Sequence, residues 1–523
     1  MKARKFLKHT LIIGLMLALF VSCDDKLDEP LENFPLGNEI SAEGQLAILI
    51  SAYQDLYDMG WEVHPTIALR GDDVNKGGGS DQPFMALLDD YNYDPSSWFF
   101  NATWNGLYAD IISTYYLAIE EIENINLVVE DQTAGDQYIA EIKVMIGYDL
   151  LHIVRLWGDI LIPNSSSPLD FENLPVTDRE DALQYISDLM DEAIPNLPDM
   201  RPNQRTDIPG GVTRHTALAV KAMANLDLEN YTAAADATSE IIESGLFSLE
   251  SDYYNLFKTQ GELSDENLLE LQYSDFGSPS SAIGDFNHLY NFYGPQGAGW
   301  FPAVEGVEAG WGFWEPTFKY IGFMLDREDL VRLETSVVFT PDGVQALEDL
   351  GYTNLPGFTT VTPASTDNSA PVVRARSGDG FGNHDRALFH SGKHILPSSE
   401  ITDDVARFNS GKNFIVIRYA EILLMHAEAL VSGGSSSSIS AVEAVNLVRA
   451  RARLEPLPAV SLDDVLDEKY AEFSMEWGIR FADVVRHGRA GELNEGGKVY
   501  DPSNDRFLPY PTEQVDLLPQ LNR

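Results

Sequence analysis

The chain has 523 residues, 44% hydrophobic and 11% aromatic, with 82 acidic against 35 basic side chains and a formal net charge of −47. So strong a negative field disfavours nucleic acid and other polyanions; solubility, as in a salty habitat, is its first explanation, and more weakly it favours a neutral ligand over a sulfated or uronic-acid polymer. With a single cysteine in the sequence, stability has to come from packing and not from disulfides.

That cysteine, Cys23, follows a leader in which Lys2, Arg4, Lys5 and Lys8 precede an almost wholly apolar run over 10–21. A basic start, about a dozen apolar residues and the small Ser22 describe a secretory signal, too short to span a bilayer. A cysteine at this one point marks a lipoprotein signal, whose thiol takes the lipid and becomes the new N-terminus. The expectation is an exported, lipid-anchored chain that begins at Cys23. Asp24, Asp25, Asp28 and Glu29 then read as part of a solvated acidic tether.

Helical periodicity follows. Trp104, Leu107, Tyr108, Ile111, Ile112, Tyr115, Ile119 and Ile122 recur at three- and four-residue steps. The segment 137–157 repeats the pattern and stops at Gly158, with Pro163 beyond. Further helices are predicted over 178–196, 213–229 and 231–244, the last closed by Gly245. Alanines over 217–241, with Asn230 at the turn, resemble a tetratricopeptide unit, whose two helices bury their faces only by stacking on neighbours. Near the C-terminus helices are predicted over 414–431, 441–454 and 462–486, and 420–429 with 441–452 reads as a second such pair. Between the ends, 247–412 is rich in Gly, Ser, Pro, Asp and aromatics, too long for one loop. The fold class expected is all-α: a tetratricopeptide-like scaffold of helical pairs with a large loop-rich insertion carrying short helices and hairpins. The division expected is a signal at 1–22, a tether at 23–40 and one domain at 41–523. Its scaffold occupies 41–246 and 413–523, and its insertion about 247–412.

Several segments together resemble the starch-utilisation-system D family, the SusD/RagB-like surface glycan-binding lipoproteins. Residues 418–429, RYAEILLMHAEA, are similar to the family's "RYAEvLLmyAEAl" helix, and 445–452, VNLVRARA, to its "vNavRaRA" helix. Residues 473–488, FSMEWGIRFADVVRHG, match "Ef..EG.Rf.DLvRwG", with Trp477 added before the glycine. The ending 508–513, LPYPTE, and the upstream 154–163, VRLWGDILIP, resemble the family's "l.PiP..E" and "vRlyGdvPli". The acidic residues behind Cys23 resemble the signal that displays Bacteroidota lipoproteins on the outer face of the outer membrane. The resemblance implies a non-enzymatic accessory protein lying over a SusC-like TonB-dependent transporter. The pair captures an oligosaccharide or polysaccharide, or in some members a peptide, and passes it inward. Glu421, Glu428, Arg449 and Arg480, within these motifs, read as scaffold ion pairs and caps.

Sugar recognition needs flat aromatic faces for pyranose CH surfaces and planar polar groups for hydroxyls. Two regions supply both. The first is the glycine-rich stretch 70–81, where Arg70, Asp72, Asp73 and Asn75 offer hydrogen-bonding groups, together with Trp98 and Asn101 before the Trp104 helix. In glycan-binding relatives an aromatic and an amide from this neighbourhood contact sugar, so the resemblance points to Trp98 and Asn101. The second holds Trp300 and Trp311, flanked by glycines, with Tyr290 and Tyr293 as weaker candidates. No cofactor or metal is expected. Asp72, Asp73, Asn75 and Asp81 could hold calcium, but their order does not fit an EF-hand. The histidines form no His-Glu-x-x-His pair, and there is no Gly-x-Ser-x-Gly elbow or phosphate-binding glycine loop. The competing readings are a peptide-capturing or purely scaffolding lipoprotein and a glycoside hydrolase, whose paired carboxylates no sequence pattern excludes.

Overall fold

The computed structural model describes residues 42–57, 63–273, 292–294, 299–301, 310–400 and 412–522. Cys23, its leader and its tether lie outside them, as does Tyr290.

The chain is mostly helical. Its scaffold begins with α1 (Ala42–Tyr57), α2 (Pro83–Asp89), α3 (Trp98–Ala109), α4 (Leu117–Asn126) and α5 (Thr133–Trp157). It continues through α6 (Arg179–Ala193), α7 (Arg214–Asp227) and α8 (Tyr231–Glu243). Between α3 and α4 the helix widens into a π-helical turn, Asp110–Tyr116, so the predicted run is continuous in path but not in winding. Helix α5 packs on α6, α6 on α7, and α7 on α8. The contacts are close because the facing residues are small: Ala217, Ala222, Ala224, Ala234, Ala235 and Ala237 are all buried. After Phe318–Asp326 (α9), the stack resumes in α10 (Tyr419–Val431), α11 (Ala441–Arg451), α12 (Leu462–Phe473), α13 (Ile479–Arg486) and α14 (Thr512–Leu517). Helix α10 lies directly on α8, and Thr238 Oγ1 meets His426 Nδ1 at 2.9 Å across that seam. The two ends of the chain thus form one continuous stack.

Local chemistry fixes the helix starts. Ser440 caps α11, its hydroxyl accepting the Glu443 N–H while the Glu443 carboxylate accepts the Ser440 N–H at 2.8 Å. Ser461 and Asp464 repeat the arrangement at α12. Two C-terminal boundaries differ from the predicted ones. Phe414–Arg418 is a strand, β10, paired antiparallel with β2 (Asn267–Leu271), and the helix begins only at Tyr419. The β-branched Ile415, Val416 and Ile417 suit a doubly buried strand better than a first helical turn. The single helix expected over 462–486 is broken at residues 474–478, where Met475 and Gly478 both take left-handed backbone. A Cβ at Gly478 would stand 2.4 Å from the Ile67 carbonyl oxygen, so the close approach there admits only glycine.

The inserted part carries short strands. β1 (Val74–Lys76) pairs with β4 (Trp314–Pro316), and β5 (Val337–Phe339) with β9 (Phe389–Ser391). β3 (Trp300–Phe301), β8 (Gly380–Phe381), β7 (Pro371–Arg374) and β6 (Val361–Pro363) form one small antiparallel sheet in that order. A buried ionic network fastens this part to the scaffold. Arg332, from the insertion, binds Asp329, Glu468 and Glu472. Arg418 on β10 binds Glu266, Glu472 and Glu476, and Arg451 on α11 binds Glu266 and Glu472. Of the motif residues expected to form ion pairs, Glu428 binds Lys469 and Arg486, and Arg449 binds Glu468. Glu421 forms no ion pair among the described residues, and burial pushes its carboxyl up to about 7. Among the described residues no helix is long and apolar enough to cross a membrane.

Candidate functional site

Helix α3 opens on Trp98, and the aromatic triplet at its start divides by face. Phe99 and Phe100 turn inward and are buried, while Trp98 is 53% exposed. The indole stands edge-on to Phe84 of α2, ring centroids 5.1 Å apart, and this contact holds it upright instead of letting it lie on the surface. Asn101 follows at a three-residue step, which puts it on the same side of the helix. Both ends of its amide are engaged by α14: Nδ2 donates to Glu513 Oε2 at 2.5 Å, and Oδ1 accepts from Gln514 Nε2 at 2.8 Å. Gln514 also donates to Asn105 Oδ1, at 2.9 Å. The result is a half-exposed aromatic beside an oriented row of amides and one carboxylate.

The pairing of β1 with β4 brings the two aromatic regions, more than two hundred residues apart in sequence, to one edge. Asn75 stands opposite Glu315, and the Gly77 N–H donates to the Phe313 carbonyl at 2.6 Å. From there the loop exposes Gly79, Ser80 and Asp81 before running into α2 and Phe84. Asp81 pairs with Arg386 at 2.5 Å, and Arg386 lies over the Phe313 ring. Trp311 is half-buried beside them, tilted against Phe313 and edge-on to Phe292. Asn75 is half-buried too, 3.5 Å from Lys498 Nζ.

Four of the residues expected to face a ligand are instead turned inward. Asp72 is fully buried between Arg480, at 2.9 Å, and Lys319, at 2.6 Å. Burial opposes its ionisation, but these two cations outweigh that and hold its carboxyl below the usual range. Asp73 is buried as well and accepts the Met475 N–H at 2.7 Å. Burial pushes its carboxyl up to about 6, with the neighbouring Asp72 charge adding to the rise. A Cβ at Gly71 would come 2.2 Å from Asp73 Oδ1, so the glycine there makes room for an acid and not for a ligand. Arg70 is buried, its guanidinium 3.9 Å from the Phe481 ring centroid. It donates to the carbonyls of Asp505 and Arg506 at 3.0 and 2.6 Å. Trp300 lies within the small sheet, stacked on Phe381, and neither face of its ring is open. Tyr293 is buried against His394. Among the described residues no group of His, Cys, Asp or Glu is arranged to hold a metal ion.

The sequence profile of the SusD family matches residues 382–523. A SusD-like protein of Bacteroides ovatus is 23% identical, over 91% of this chain and 82% of its own length. SusD-like protein P2 of Formosa agariphila is 24% identical over 97% of each. In structure, a laminarin binding SusD-like protein superposes with a TM-score of 0.73 at 21% identity, over 91% of this chain and 97% of its own. A surface glycan-binding protein A from Bacteroides thetaiotaomicron, in complex with laminarihexaose, gives 0.71 at 20% identity over 92% and 98%. The chain thus carries a SusD family match over its C-terminal part and a SusD-like fold over most of its length. Its SusD-like fold accounts for where the motif residues went. The RYAE and RARA helices and the segment after them are the ion-paired heart of the stack, and Arg480 reaches from there to clamp Asp72. Asn105, Glu513 and Gln514, which complete the polar row around Asn101, were missing from the sequence reading. Asn105 was findable, four residues beyond Asn101 on one helix; nothing in the sequence ties Glu513 or Gln514 to a helix four hundred residues earlier.

Proposed function

We propose that this protein is a surface-exposed glycan-binding lipoprotein, anchored through Cys23 with 23–40 as its tether. It captures an oligosaccharide on the face carrying Trp98 and Asn101 and delivers it to a partner TonB-dependent outer-membrane transporter. It binds and does not catalyse: the relatives it resembles are named as binding proteins. The observation that carries the reading is the exposed Trp98 indole, braced by Phe84 beside the amides of Asn101, Asn105 and Gln514. An apolar ring face accepts the CH face of a pyranose, and oriented amides supply both donors and acceptors for its hydroxyls. The exposed loop 79–81 leads into Phe84 beside this face, and the net charge of −47 favours a neutral ligand.

The test is calorimetric titration of the purified chain with neutral oligosaccharides, laminarihexaose first, and of Trp98→Ala with whichever binds. Loss of the indole is expected to weaken binding by about tenfold or more. Equal affinity in the variant would move the ligand elsewhere on the molecule. Steady release of shorter sugars would establish hydrolysis instead, and silence across the panel with an outer-membrane transporter still co-purifying would favour peptide capture or scaffolding.

A further inference from the structure

On the scaffold, between α5, α13 and the turn at 505–507, a small cleft of about 60 Å³ opens to solvent. In a chain so rich in carboxylates its lining is inverted: Arg70, Arg155, Arg179, Arg486 and Arg506 face a single acid, Asp227. That acid is already committed. Its carboxylate pairs with Arg155 at 2.6 Å and with Arg486 at 2.7 Å, and its backbone carbonyl accepts from Arg179. Arg486 is further balanced from behind by Glu428 and Asp483.

The remaining three guanidiniums are poorly compensated. Arg70 is buried and forms no ion pair among the described residues; the Tyr93 hydroxyl, two carbonyl oxygens and aromatic rings are its partners. Arg506, on the turn whose carbonyl Arg70 holds, likewise forms none. Arg179 has the Asp227 carbonyl at 2.9 Å and only the exposed Glu180, at 3.7 Å, as an ion pair among the described residues. Burial lowers its affinity for its proton; the Asp227 charge opposes this, but those of Arg506 and Arg155 add to it and the net shift is downward. A buried cation without a counter-ion is costly unless something supplies the charge. A second observation points the same way. His152 lines the same cleft, is buried, and its Nε2 has no hydrogen-bond partner among the described residues. Burial and the nearby Arg155 push the imidazole down to about 3, so it is neutral and has an N–H or a lone pair to offer.

We propose that this cleft is a binding site for an oxoanion, a sulfate, phosphate or carboxylate group, held by Arg179 and Arg506 at its rim, with Arg70 and His152 lining it. Guanidinium forks match such planar or tetrahedral oxygen sets, and charge-assisted hydrogen bonds are the strong ones. The group arrives either as a free inorganic anion or as the acid of a sugar. The site is separate from the Trp98 face and does not depend on what that face binds.

The test is thermal unfolding of the full chain titrated with sodium sulfate, sodium phosphate or sodium glucuronate, at ionic strength held constant with sodium chloride. A saturable rise in melting temperature beyond the chloride control is expected. Saturation at lower concentration with sulfate or phosphate assigns the free anion, and with glucuronate the sugar acid. Arg506→Gln and Arg179→Gln are each expected to weaken that response about tenfold. Arg214→Gln, which removes a surface arginine paired with Glu240, is expected to leave it unchanged. Arg506 is exposed and forms no ion pair among the described residues, so its variant is expected to keep the fold and isolate the anion effect. No saturable response to any of the three salts, or the same response in both cleft variants as in the parent chain, would overturn the proposal.

Discussion

At the scale of single residues, burial decides what an ionisable group does here. Asp149 on α5 is buried, and burial pushes its carboxyl from the ordinary 3.8 up to about 8. Between those values the folded chain keeps a proton that the unfolded chain has released. This group's contribution to stability therefore falls as pH rises through that window. Asp149→Asn removes the titration and keeps the shape. Urea unfolding at pH 5 and pH 8.5 should show the variant gaining on the parent by a few kcal/mol as pH rises; parallel pH dependence in the two would refute it. Asp72 and Asp73 show the opposite outcomes of neighbouring positions. Cations on two sides keep Asp72 charged, whereas Asp73, which accepts the Met475 N–H, is pushed toward the neutral acid.

At the scale of elements, the ionic network joining β10, α11, α12 and the Arg332 helix is what seats the insertion on the scaffold. Arg418 sits at its centre, donating to Glu476 at 2.9 and 3.0 Å and to Glu266 at 3.1 Å. Arg418→Met would leave Glu266, Glu472 and Glu476 buried with one cation fewer, only Arg451, Arg332 and Lys393 remaining to share among them, and chemical denaturation should report a loss of about 3–5 kcal/mol. A loss below about 1 kcal/mol would mean that the network relaxes around the gap. These elements also mark what the sequence could and could not disclose. Helices were legible because their apolar period and their caps are local: 137–157 and its stop at Gly158 needed only neighbouring residues, while the observed helix starts one turn earlier, at Thr133. The strand at Phe414–Arg418 was hidden inside a helical motif, because its partner lies far upstream in Asn267–Leu271. The site was half legible for the same reason. Trp98 could be singled out from its setting, but whether Trp300 or Arg70 faced outward depended on Phe381 and Phe481, partners that no local spacing names.

At the scale of the whole molecule, carboxylates outnumber cations, and the central buried arginines Arg332, Arg418, Arg451 and Arg486 are each paired with acids. Self-repulsion among exposed acids is long-ranged and screened by salt, with a Debye length of about 10 Å at 0.1 M, whereas the buried pairs are shielded from it. Raising sodium chloride from about 10 mM to about 0.3 M should therefore raise the melting temperature, by a few degrees. A fall on added salt would show that exposed pairs such as Lys143 with Glu192 outweigh the repulsion.

The seam where α10 lies on α8 has a consequence for how the molecule comes into being. Ala234, Ala235, Ala237, Thr238 and Ile241 are covered there by a helix that the chain supplies only some 188 residues later, as the Thr238–His426 contact records. Until that later helix arrives, the first half is an unfinished stack with an apolar face open to any comparable surface, and closing so long a loop is slow. Maturation of this protein therefore ends at its C-terminus, and a chain cut short before Tyr419 would be left adhesive and not merely shorter.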